Sequence, residues 1–457
     1  MELAPHIFRE YDIRGIVGDD LTPGVAEAVG RAYGSALVEL QGSGARTVVV
    51  GQDNRLSSPD LADALMAGLR ATGARVLDLG TVPTPVAYWA ESTRGADGAV
   101  QITGSHNPAE WNGIKMTMGG RAIYGDAIQG LRQRTVDGRL ASGAGSMERI
   151  EVLGDYVADL SGRFQLSRPV DFAVDCGNGT ASVVAIRLLE AVGVRVTPLF
   201  CESDGSFPNH HPDPTVDENL TDLIDVVRKG EAEAGVAFDG DGDRIGAVDE
   251  NGLVVRGDLL LLVFGLDLLE RKGPGQKLVF DVKCSQALPE VFAAAGGEPI
   301  MWKTGHSLMK EKMKETNAAL AGELSGHICV GGDRYLGFDD ALFSACLLAE
   351  LLARSDRSLS EMVAGFPRYV STPELRIEVD ETRKFDLVRD ALEYFRERYD
   401  VIDVDGVRIL FGDGWGLLRT SNTQPVIVAR FEARTTERLE EIRDVVEGWL
   451  RSRGVDV

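Results

Sequence analysis

The sequence is short of positive charge. Its 48 lysines and arginines face 71 aspartates and glutamates, which leaves a formal net charge of −23 at pH 7. A field of that sign repels nucleic acids and anionic membrane surfaces, so we expect neither as a partner. Any site for a phosphate group must therefore be built from local cations that act against the field of the whole molecule.

Cysteine is also scarce, and the cysteines present follow no pairing pattern. The sequence has 5 of them, Cys176, Cys201, Cys284, Cys329 and Cys346, which are widely spaced and include no CxxC pair. An odd number at such spacings argues against a disulfide framework and against a zinc site. We interpret them as reduced cysteines of a cytosolic protein.

Long apolar runs are missing as well. No run approaches the roughly eighteen residues that a transmembrane helix needs. The N-terminal residues Met-Glu-Leu-Ala-Pro-His lack the basic stretch and apolar core of a secretory signal. We therefore expect a cytoplasmic protein that does not contact a membrane.

A strand-helix-strand pattern occurs three times. In each copy a strand ends on an aspartate, a helix of about three turns follows, and a glycine begins the next strand. Successive units of this kind predict three homologous α/β domains with mixed sheets. The aspartates are Asp53, Asp175 and Asp281, the helices are expected near 58–71, 181–191 and 286–295, and the glycines are Gly73, Gly193 and Gly296.

The pattern changes after Pro373 and predicts a smaller α+β domain. There we expect a strand at 375–379, a helix at 383–399, a hairpin at 404–410, a strand at 426–431 and a helix at 436–451. The expected domains span residues 1–150, 151–253, 254–367 and 368–457.

A strand-like segment stops just before Ser105. Its β-branched residues end at Thr103, Gly104 follows, and Asn107-Pro108 forces a turn, so Ser105 is expected at a strand-to-loop tip. Such tips are where scaffolds display reactive groups. Taken alone, the segment is also typical of an ordinary surface turn. We interpret Ser105 as a nucleophile that carries a phosphoryl group.

Three aspartates, Asp239, Asp241 and Asp243, alternate with glycines between two apolar runs. In an extended segment alternate side chains face the same way, so the three carboxylates are expected to converge. Hard oxygen ligands at that density suit Mg²⁺, with places left for water or a phosphate oxygen. Uncompensated carboxylates repel by about 4 kcal/mol per pair at 4 Å, which also favours a bound cation.

The same aspartates fit two other interpretations. Together with Glu250 they occupy the first, third, fifth and twelfth positions of an EF-hand loop, but Arg244 stands where that loop needs glycine, and the flanks are strand-like. An EF-hand is therefore disfavoured. A polar turn between two strands is the simpler alternative, and the segment alone leaves it open.

Two further segments offer groups that suit a sugar phosphate. Arg244 follows the three aspartates and could stabilise phosphoryl oxygens at the same point, or could simply balance charge. Glu323, Ser325 and His327 provide a carboxylate, a hydroxyl and an imidazole beside glycines. Such groups can hold vicinal sugar hydroxyls at close range.

The last domain contains a candidate phosphate loop. Arg419, Ser421, Asn422 and Thr423 supply a guanidinium, hydroxyls and an amide, and the loop adds backbone N–H groups. These groups suit a phosphate dianion, although a Ser/Thr/Asn turn is the alternative. Weaker candidates for contact with an anion are Tyr11, Arg14, Lys283 and His306.

Taken together, these segments resemble the α-D-phosphohexomutase superfamily, and most closely its bacterial phosphomannomutase/phosphoglucomutase group. The resemblance extends over essentially the whole chain, because the motifs occur in the family's order. They are Tyr11-Asp-Ile-Arg14, Gly104-Ser-His-Asn-Pro108, Asn112-Gly-Ile-Lys115, Asp239-Gly-Asp-Gly-Asp-Arg244, Asp281-Val-Lys283, Lys303-Thr-Gly-His306-Ser, Gly322-Glu-Leu-Ser-Gly-His327 and Arg419-Thr-Ser-Asn-Thr-Gln-Pro425.

The resemblance implies a heart-shaped enzyme of four domains around a central cleft, with one Mg²⁺ per active site. In chain order these are a phosphoserine domain, a metal-binding domain, a sugar-binding domain and a phosphate-binding domain. Ser105 is then the phosphoserine, and it binds the metal together with the three aspartates of 239–243. Among the candidate general acids and bases, Lys115 and His327 rank ahead of Arg244, because an arginine does not readily release a proton. The implied contacts with substrate are Tyr11, Arg14, Lys283, His306, Glu323, Ser325, Arg419, Ser421, Asn422 and Thr423.

Three positions depart from the family's usual residues. Alanine is usual where Gly104 and Thr420 stand, and we expect both changes to tune loop flexibility without loss of activity. Leu324 stands where methionine is common in this group and where phosphoglucosamine mutases usually have glutamine. That difference favours a hexose phosphate over glucosamine phosphate.

The activity implied is reversible transfer of a phosphoryl group between the 1- and 6-hydroxyls of a mannose or glucose phosphate. A hexose 1,6-bisphosphate is then both the intermediate and the primer, the partners are small hexose phosphates, and the chain is a monomer or weak homodimer. The alternatives are a phosphoglucosamine mutase and, from a different class, a sugar-phosphate phosphatase that uses Asp239 as its nucleophile. A non-catalytic sugar-phosphate sensor is disfavoured, because it has no reason to keep Ser105, Lys115 and the aspartates together.

Overall fold

A computed structural model describes residues 3–41, 46–230, 232–380, 382–421 and 426–457. The chain divides into two compact units. The first consists of Met1–Leu260 and Ser325–Val363, and the second of Leu261–Leu324 and Ala364–Val457.

The first unit begins with a mixed sheet flanked by helices. Its strands are β1 (Ile13–Ile16), β2 (Thr47–Gln52), β3 (Arg75–Thr81), β4 (Gly98–Ile102), β5 (Trp111–Met118), β6 (Arg121–Ala122) and β7 (Ser146–Arg149), and its helices are α1 (Pro23–Gln41), α2 (Ser58–Arg70), α3 (Thr84–Thr93) and α4 (Asp126–Val136). The strand order is β1-β5-β4-β2-β3-β7, with β6 beside β5. Strands β2, β3, β4 and β7 pair in parallel, whereas β5 runs antiparallel to β4 and β1. The central parallel strands are apolar because helices cover both of their faces.

The second sheet of this unit is also mixed and flanked by helices, but it is smaller. Its elements are α5 (Leu153–Ser161), β8 (Val170–Asp175), α6 (Ala185–Val192), β9 (Val194–Leu199), α7 (Thr221–Lys229), β10 (Ala234–Phe238), β11 (Ile245–Asp249) and β12 (Val254–Val255). The order is β12-β11-β10-β8-β9, in which β10, β8 and β9 are parallel and β11 and β12 antiparallel. The carboxyl ends of the parallel strands meet at one edge, which is where ligands bind in α/β sheets.

The next segment contributes to both units. Its elements are α8 (Gly257–Lys272), β13 (Lys277–Asp281), α9 (Ala287–Ala294), β14 (Glu298–Trp302), α10 (His306–Thr316), β15 (Leu320–Gly322), β16 (Ile328–Val330), α11 (Ala341–Arg354) and α12 (Leu359–Val363). In the second unit β13 pairs in parallel with β14 and with β15. In the first unit the almost wholly buried helix α11 packs against α6.

The second unit ends in an antiparallel sheet with two helices. Its elements are β17 (Val370–Ser371), β18 (Leu375–Glu378), α13 (Lys384–Arg396), β19 (Asp400–Ile402), β20 (Val407–Leu410), β21 (Gly414–Thr420), β22 (Val426–Ala433) and α14 (Thr436–Ser452). The order is β17-β22-β21-β20-β19, and β18 also pairs with β22. The predicted class, three α/β segments followed by a smaller α+β segment, is confirmed.

The three glycines expected to end the repeat helices do so. Gly73, Gly193 and Gly296 all have positive φ, of +93°, +109° and +89°. Glycine tolerates this left-handed conformation, which lets the chain leave the helix and enter the next strand. The expected hairpin at 404–410 covers only its turn and second strand, because the first strand, β19, begins at Asp400.

Among the residues that the structure describes, none of the helices combines the length and the apolar character needed to span a membrane.

Candidate active site

Ser105 lies in the loop that joins β4 to β5, so its expected place at the end of a strand is confirmed. Its φ of +49° is uncommon for a residue other than glycine, and its N–H donates to Thr103 Oγ1 at 2.8 Å. The residue is buried. Its hydroxyl donates to Asp239 Oδ2 at 2.9 Å and lies 3.1 Å from His106 Nδ1.

One buried arginine organises the loop around this serine. Arg55 follows β2, the parallel neighbour of β4, and its two Nη groups donate to four carbonyl oxygens of the loop. The acceptors are Ser105 at 2.8 Å, Asn107 at 2.6 Å, Pro108 at 2.6 Å and Trp111 at 3.0 Å. A planar guanidinium can satisfy several fixed acceptors at once, so this side chain fixes the path of the backbone.

Asp53 and Gly104 complete this arrangement. Asp53 Oδ2 lies 3.2 Å from Arg55 Nε and accepts from the Gly104 N–H at 2.9 Å. A Cβ at position 104 would lie 2.5 Å from both Cζ and Nε of Arg55. Glycine at position 104 therefore has a physical reason in this chain, because the guanidinium occupies the space that a methyl group would need.

The three aspartates converge, but by a turn and not by an extended strand. Asp239 Oδ1 accepts from the backbone N–H groups of Gly242, Asp243 and Arg244 at 3.0–3.2 Å. Gly242 has φ of +75°, which closes the turn. One carboxylate oxygen from each of the three aspartates lies within 4.8 Å of the others. The expected convergence is confirmed, whereas the predicted reason, alternation along an extended segment, is wrong.

This loop and the serine loop are in direct contact within the first unit. A Cβ at Gly240 would lie 2.3 Å from the carbonyl oxygen of Ser105, so only glycine permits the observed approach. The approach places the Asp239 carboxylate within hydrogen-bond distance of the serine hydroxyl.

Lys115 neutralises part of the charge on the aspartates. Its Nζ donates to Asp241 Oδ2 at 2.7 Å and to Asp243 Oδ2 at 2.6 Å. Although burial opposes the charged form, these carboxylates raise the pKa of Lys115. The lysine in turn lowers the pKa of Asp241, against the effect of burial. Burial and the other two aspartates raise the pKa of Asp239 well above its ordinary value.

The acidic cluster could hold a metal ion. All three aspartates are fully buried, and among the described residues Asp241 Oδ1 and Asp243 Oδ1 have no hydrogen-bond partner. Buried carboxylate oxygens without a donor are costly unless a cation binds them. The donor set is entirely oxygen, which suits a hard divalent cation.

His327 connects this cluster to Arg244. His327 Nδ1 lies 2.9 Å from Asp339 Oδ2 and 3.6 Å from Asp243 Oδ1. Arg244 Nε donates to His327 Nε2 at 2.9 Å, and the two residues also form a backbone bridge. The carboxylate beside Nδ1 favours the tautomer with its proton there, which leaves the lone pair on Nε2.

The remaining candidates of the first unit are Arg14, Tyr11 and Ser325. Arg14 lies on β1, and its guanidinium donates to Asp12 Oδ2 at 2.7 Å and to Asn107 Oδ1 at 3.2 Å. Tyr11 precedes that strand and is half-buried. Ser325 is half-buried two residues before His327.

In the second unit, Lys283 is buried in an ion-pair network. Its Nζ donates to Glu374 Oε1 at 2.6 Å and lies 3.7 Å from Asp281 Oδ2. The charge of Lys283 lowers the pKa of Glu374 to about 2. Burial opposes the charged lysine, but Glu374 and Asp281 outweigh that effect and raise its pKa. Both partners are therefore held charged.

A second aspartate of this unit links two of the predicted loops. Asp405 Oδ2 accepts from Arg419 Nε at 2.9 Å and from the Thr304 N–H at 3.0 Å. Glu323 Oε1 accepts from the Gly305 N–H at 2.7 Å. These bonds bring the 303–307, 323–324 and 419–421 segments together.

Two other candidates of this unit, His306 and Ser421, have contacts within it. His306 is the first residue of α10, and its Nδ1 lies 3.2 Å from Lys310 Nζ. The Ser421 carbonyl accepts from Lys384 Nζ at 2.8 Å. Asn422 and Thr423 lie outside the described residues.

Sequence reasoning missed four residues on which this geometry depends, Arg55, Asp339, Glu374 and Asp405. Each is a charged residue in a loop and belongs to no recognisable motif. The one available signal was position, because Arg55 lies just after a parallel strand, at the edge where Ser105 was expected.

The chain matches four family models in succession. Residues 5–139, 154–252 and 256–369 match the models described as phosphoglucomutase/phosphomannomutase, alpha/beta/alpha domains I, II and III. Residues 374–448 match the model of the C-terminal domain.

Full-length relatives are similar over almost the whole chain. The phosphomannomutase/phosphoglucomutase of Pseudomonas aeruginosa is 46% identical over 452 residues, which cover 98% of this chain and 96% of the relative. The phosphoglucomutase of Neisseria gonorrhoeae is 43% identical over 451 residues, covering 98% and 97%. The crystal structure of a phosphoglucomutase/phosphomannomutase family protein from Burkholderia thailandensis has a TM-score of 0.91 at 44% identity, and covers 99% of this chain and 98% of that one.

Proposed function

Since the chain belongs to the phosphoglucomutase/phosphomannomutase family, we propose that Ser105 carries the phosphoryl group in its mutase reaction. The enzyme is an isomerase that moves a phosphoryl group between the 1- and 6-hydroxyls of mannose or glucose. The observation that carries the assignment is the buried Ser105 hydroxyl, 2.9 Å from Asp239 and beside two aspartates held by Lys115.

The reaction consists of two transfers. In the first, the Oγ–P bond of phosphorylated Ser105 breaks and the free hydroxyl of the hexose phosphate forms the new O–P bond, which gives a hexose 1,6-bisphosphate. In the second, the Ser105 hydroxyl takes the other phosphoryl group and the isomeric monophosphate is released. The same bisphosphate is our proposed primer, because it can phosphorylate an enzyme that has lost its phosphate.

We assign the general base to His327. Arg244 donates to Nε2 and the Asp339 carboxylate lies 2.9 Å from Nδ1, so we place the proton on Nδ1, and Nε2 can accept the proton of the attacking sugar hydroxyl once Arg244 donates elsewhere. Lys115 suits this role less well, because its two carboxylate partners keep it protonated. Lys115 and Arg244 are then positive charges that stabilise the transferring group.

The metal is proposed to be one Mg²⁺, held by Asp239, Asp241, Asp243 and the Ser105 oxygen. The all-oxygen donor set and the two unpartnered carboxylate oxygens support this choice. When bound, such an ion withdraws charge from the transferring phosphoryl group.

Substrate contacts are proposed for the remaining candidates. Glu323 and Ser325 are assigned to the 3- and 4-hydroxyls of the sugar, and the 419–423 loop to the phosphate that does not react. The buried positive charges of Lys283 and Arg419 in the second unit support an anionic ligand. Further contacts are assigned to Tyr11, Arg14 and His306.

We also propose that the chain has four functional segments, at 1–150, 151–253, 254–367 and 368–457. The ranges of the four family models support these divisions. A cytoplasmic location and a monomeric or weakly dimeric state complete the proposal.

The assignment is tested with Ser105→Ala. We expect that variant to bind hexose phosphate but to lose mutase turnover, whereas Ser206→Ala, at an exposed serine, behaves as the wild type. Turnover is measured with mannose, glucose and glucosamine 1-phosphates in the presence of the bisphosphate primer. Near-wild-type turnover by the Ser105 variant would refute the assignment, and net release of inorganic phosphate by that variant would favour a phosphatase that uses Asp239.

A further inference from the structure

Two thiols that the proposed reaction does not use meet at the ends of neighbouring strands. Cys176 directly follows β8 and Cys201 follows β9 by two residues, and these strands are parallel partners with Asp175 opposite Leu199. The two sulfurs are 2.9 Å apart and both thiols are free. A disulfide needs a separation of about 2.05 Å, so a shift of less than 1 Å would allow the bond to form.

The two cysteines differ in access to solvent. Cys201 is only partly buried, whereas Cys176 is fully buried. The hydrogen bond between the sulfurs lowers the pKa of the Cys201 thiol and raises that of Cys176. Cys201 is therefore the thiol that a dissolved oxidant reaches first, and Cys176 is placed to react with the product.

The turn that follows Cys176 contacts the loop of the three aspartates. The Thr180 N–H donates to the Gly240 carbonyl at 2.8 Å, and Gly240 is the residue that packs against Ser105. The same turn also contacts the segment that carries Arg55, because Asn54 Nδ2 donates to the Asn178 carbonyl at 2.6 Å. A change at Cys176 is thus two and four residues from the contacts of Asn178 and Thr180, which position both loops of the first unit.

We propose that Cys176 and Cys201 are a site of reversible oxidation by hydrogen peroxide, and that the resulting disulfide slows phosphoryl transfer. The Cys201 thiolate attacks peroxide, which gives a sulfenic acid and releases hydroxide. The Cys176 thiol then displaces the hydroxyl of that sulfenic acid as water, and the sulfur–sulfur bond forms. The two thiols together lose two electrons and peroxide is reduced to water.

The effect on turnover rests on the proposed function, whereas formation of the disulfide does not. Drawing the Cys176 sulfur toward Cys201 would move the turn that holds Gly240. Displacements of a fraction of an ångström slow phosphoryl transfer, so we expect a loss of roughly tenfold in kcat.

The test uses the full-length protein, reduced and then treated with hydrogen peroxide. We expect peptide mass spectrometry to find one disulfide between the Cys176 and Cys201 peptides. The mutase activity should fall at the same time, and dithiothreitol should reduce the disulfide and restore the activity. Cys201→Ser should keep its activity under peroxide. Cys346→Ala, which removes a buried thiol of α11 outside the pair, should form the disulfide and be slowed like the wild type.

Several results would overturn the proposal. They are oxidation of Cys201 that ends at sulfinic acid, a disulfide that uses another cysteine, equal inactivation of Cys201→Ser, and a Cys176–Cys201 disulfide that leaves kcat unchanged. A reduced protein without mutase turnover would instead contradict the proposed function, and disulfide mapping would still decide whether the oxidation site exists.

Discussion

Arg55 is the residue on which the position of Ser105 most depends. It carries no part of any motif, yet it binds four carbonyl oxygens of the serine loop and is 1% exposed. An arginine in a loop is ordinarily solvated, so nothing in the local sequence marked it. Its partners lie about fifty residues later in the chain, and only the pairing of β2 with β4 brings them together.

We expect Gly104→Ala to destabilise the protein by about 1–3 kcal/mol and to slow turnover, because the added methyl group would overlap the Arg55 guanidinium. The matched control is Gly154→Ala in α5, where a Cβ meets nothing within 4 Å. Urea unfolding and a coupled mutase assay measure the two effects. A Gly104 variant as stable and as active as the wild type would show that the guanidinium does not fill this space.

The proposed pairing of Asp339 with His327 makes a separate prediction. Asp339→Asn can place an amide N–H against Nδ1 and so favour the tautomer with its proton on Nε2. We expect kcat to fall by roughly 10²-fold, within the range of general base catalysis, with little change in KM.

The neighbouring Asp340 is the control for this experiment. Its carboxylate accepts from Tyr335 and Tyr156 and not from His327, so Asp340→Asn should change kcat far less. Equal kcat values for the Asp339 variant and the wild type would contradict the assignment of His327 as the general base.

At the scale of elements, the start of α11 carries a titratable group of its own. Asp340 caps this helix, with its carboxylate accepting from the Phe343 N–H at 2.9 Å. Burial raises the pKa of Asp340 to about 6, although the hydrogen bonds that it accepts act in the opposite direction. The folded state therefore binds this proton more tightly than the unfolded state does.

A raised pKa gives a stability contribution that is present at low pH and lost as pH rises through the folded value. For Asp340 the loss runs from about pH 4 to just above pH 6 and amounts to roughly 3 kcal/mol. Asp340→Asn should remove this dependence, so the difference in unfolding free energy between variant and wild type should change across that window. A difference that stays constant from pH 4 to pH 7 would contradict the raised pKa.

The loop of the three aspartates shows what a sequence pattern can and cannot give. Spacing by glycines correctly predicted that the carboxylates converge and that the flanking segments are strands. It did not predict the turn, because the turn depends on three N–H groups that Asp239 Oδ1 gathers from its own loop. Nor could it show that Lys115, over a hundred residues away, binds two of the aspartates.

At the scale of the whole molecule, the fold class was predictable and the packing was not. The repeats mark strands and helices well, since apolar periodicity is a local property. They do not show that 325–363 packs with the first unit, where the buried face of α11 meets α6. Which helix covers which sheet depends on the shape and volume of the whole packed surface, so it cannot be predicted from the sequence of a single segment.

The net charge of −23 sets a further condition on the site. An anionic sugar phosphate must bind against the overall field, so cations that receive it have to be local. The cations proposed for this role are Lys115 and Arg244 in the first unit and Lys283 and Arg419 in the second. They are buried or largely buried, and each lies within 4 Å of a carboxylate. These pairings keep the cations charged and in place.

Phosphate on Ser105 between turnovers is the main feature of the proposed mechanism. Its most direct test is peptide mass spectrometry of the intact enzyme after incubation with a hexose 1,6-bisphosphate and Mg²⁺, and again after addition of a hexose monophosphate. We predict one phosphoryl group on the Ser105 peptide, and the same occupancy after the monophosphate has been turned over, because the second transfer returns a phosphoryl group to Ser105. Phosphate found on Asp239 or another residue, or no phosphoenzyme in a protein that turns over, would rule out Ser105 as the phosphate carrier.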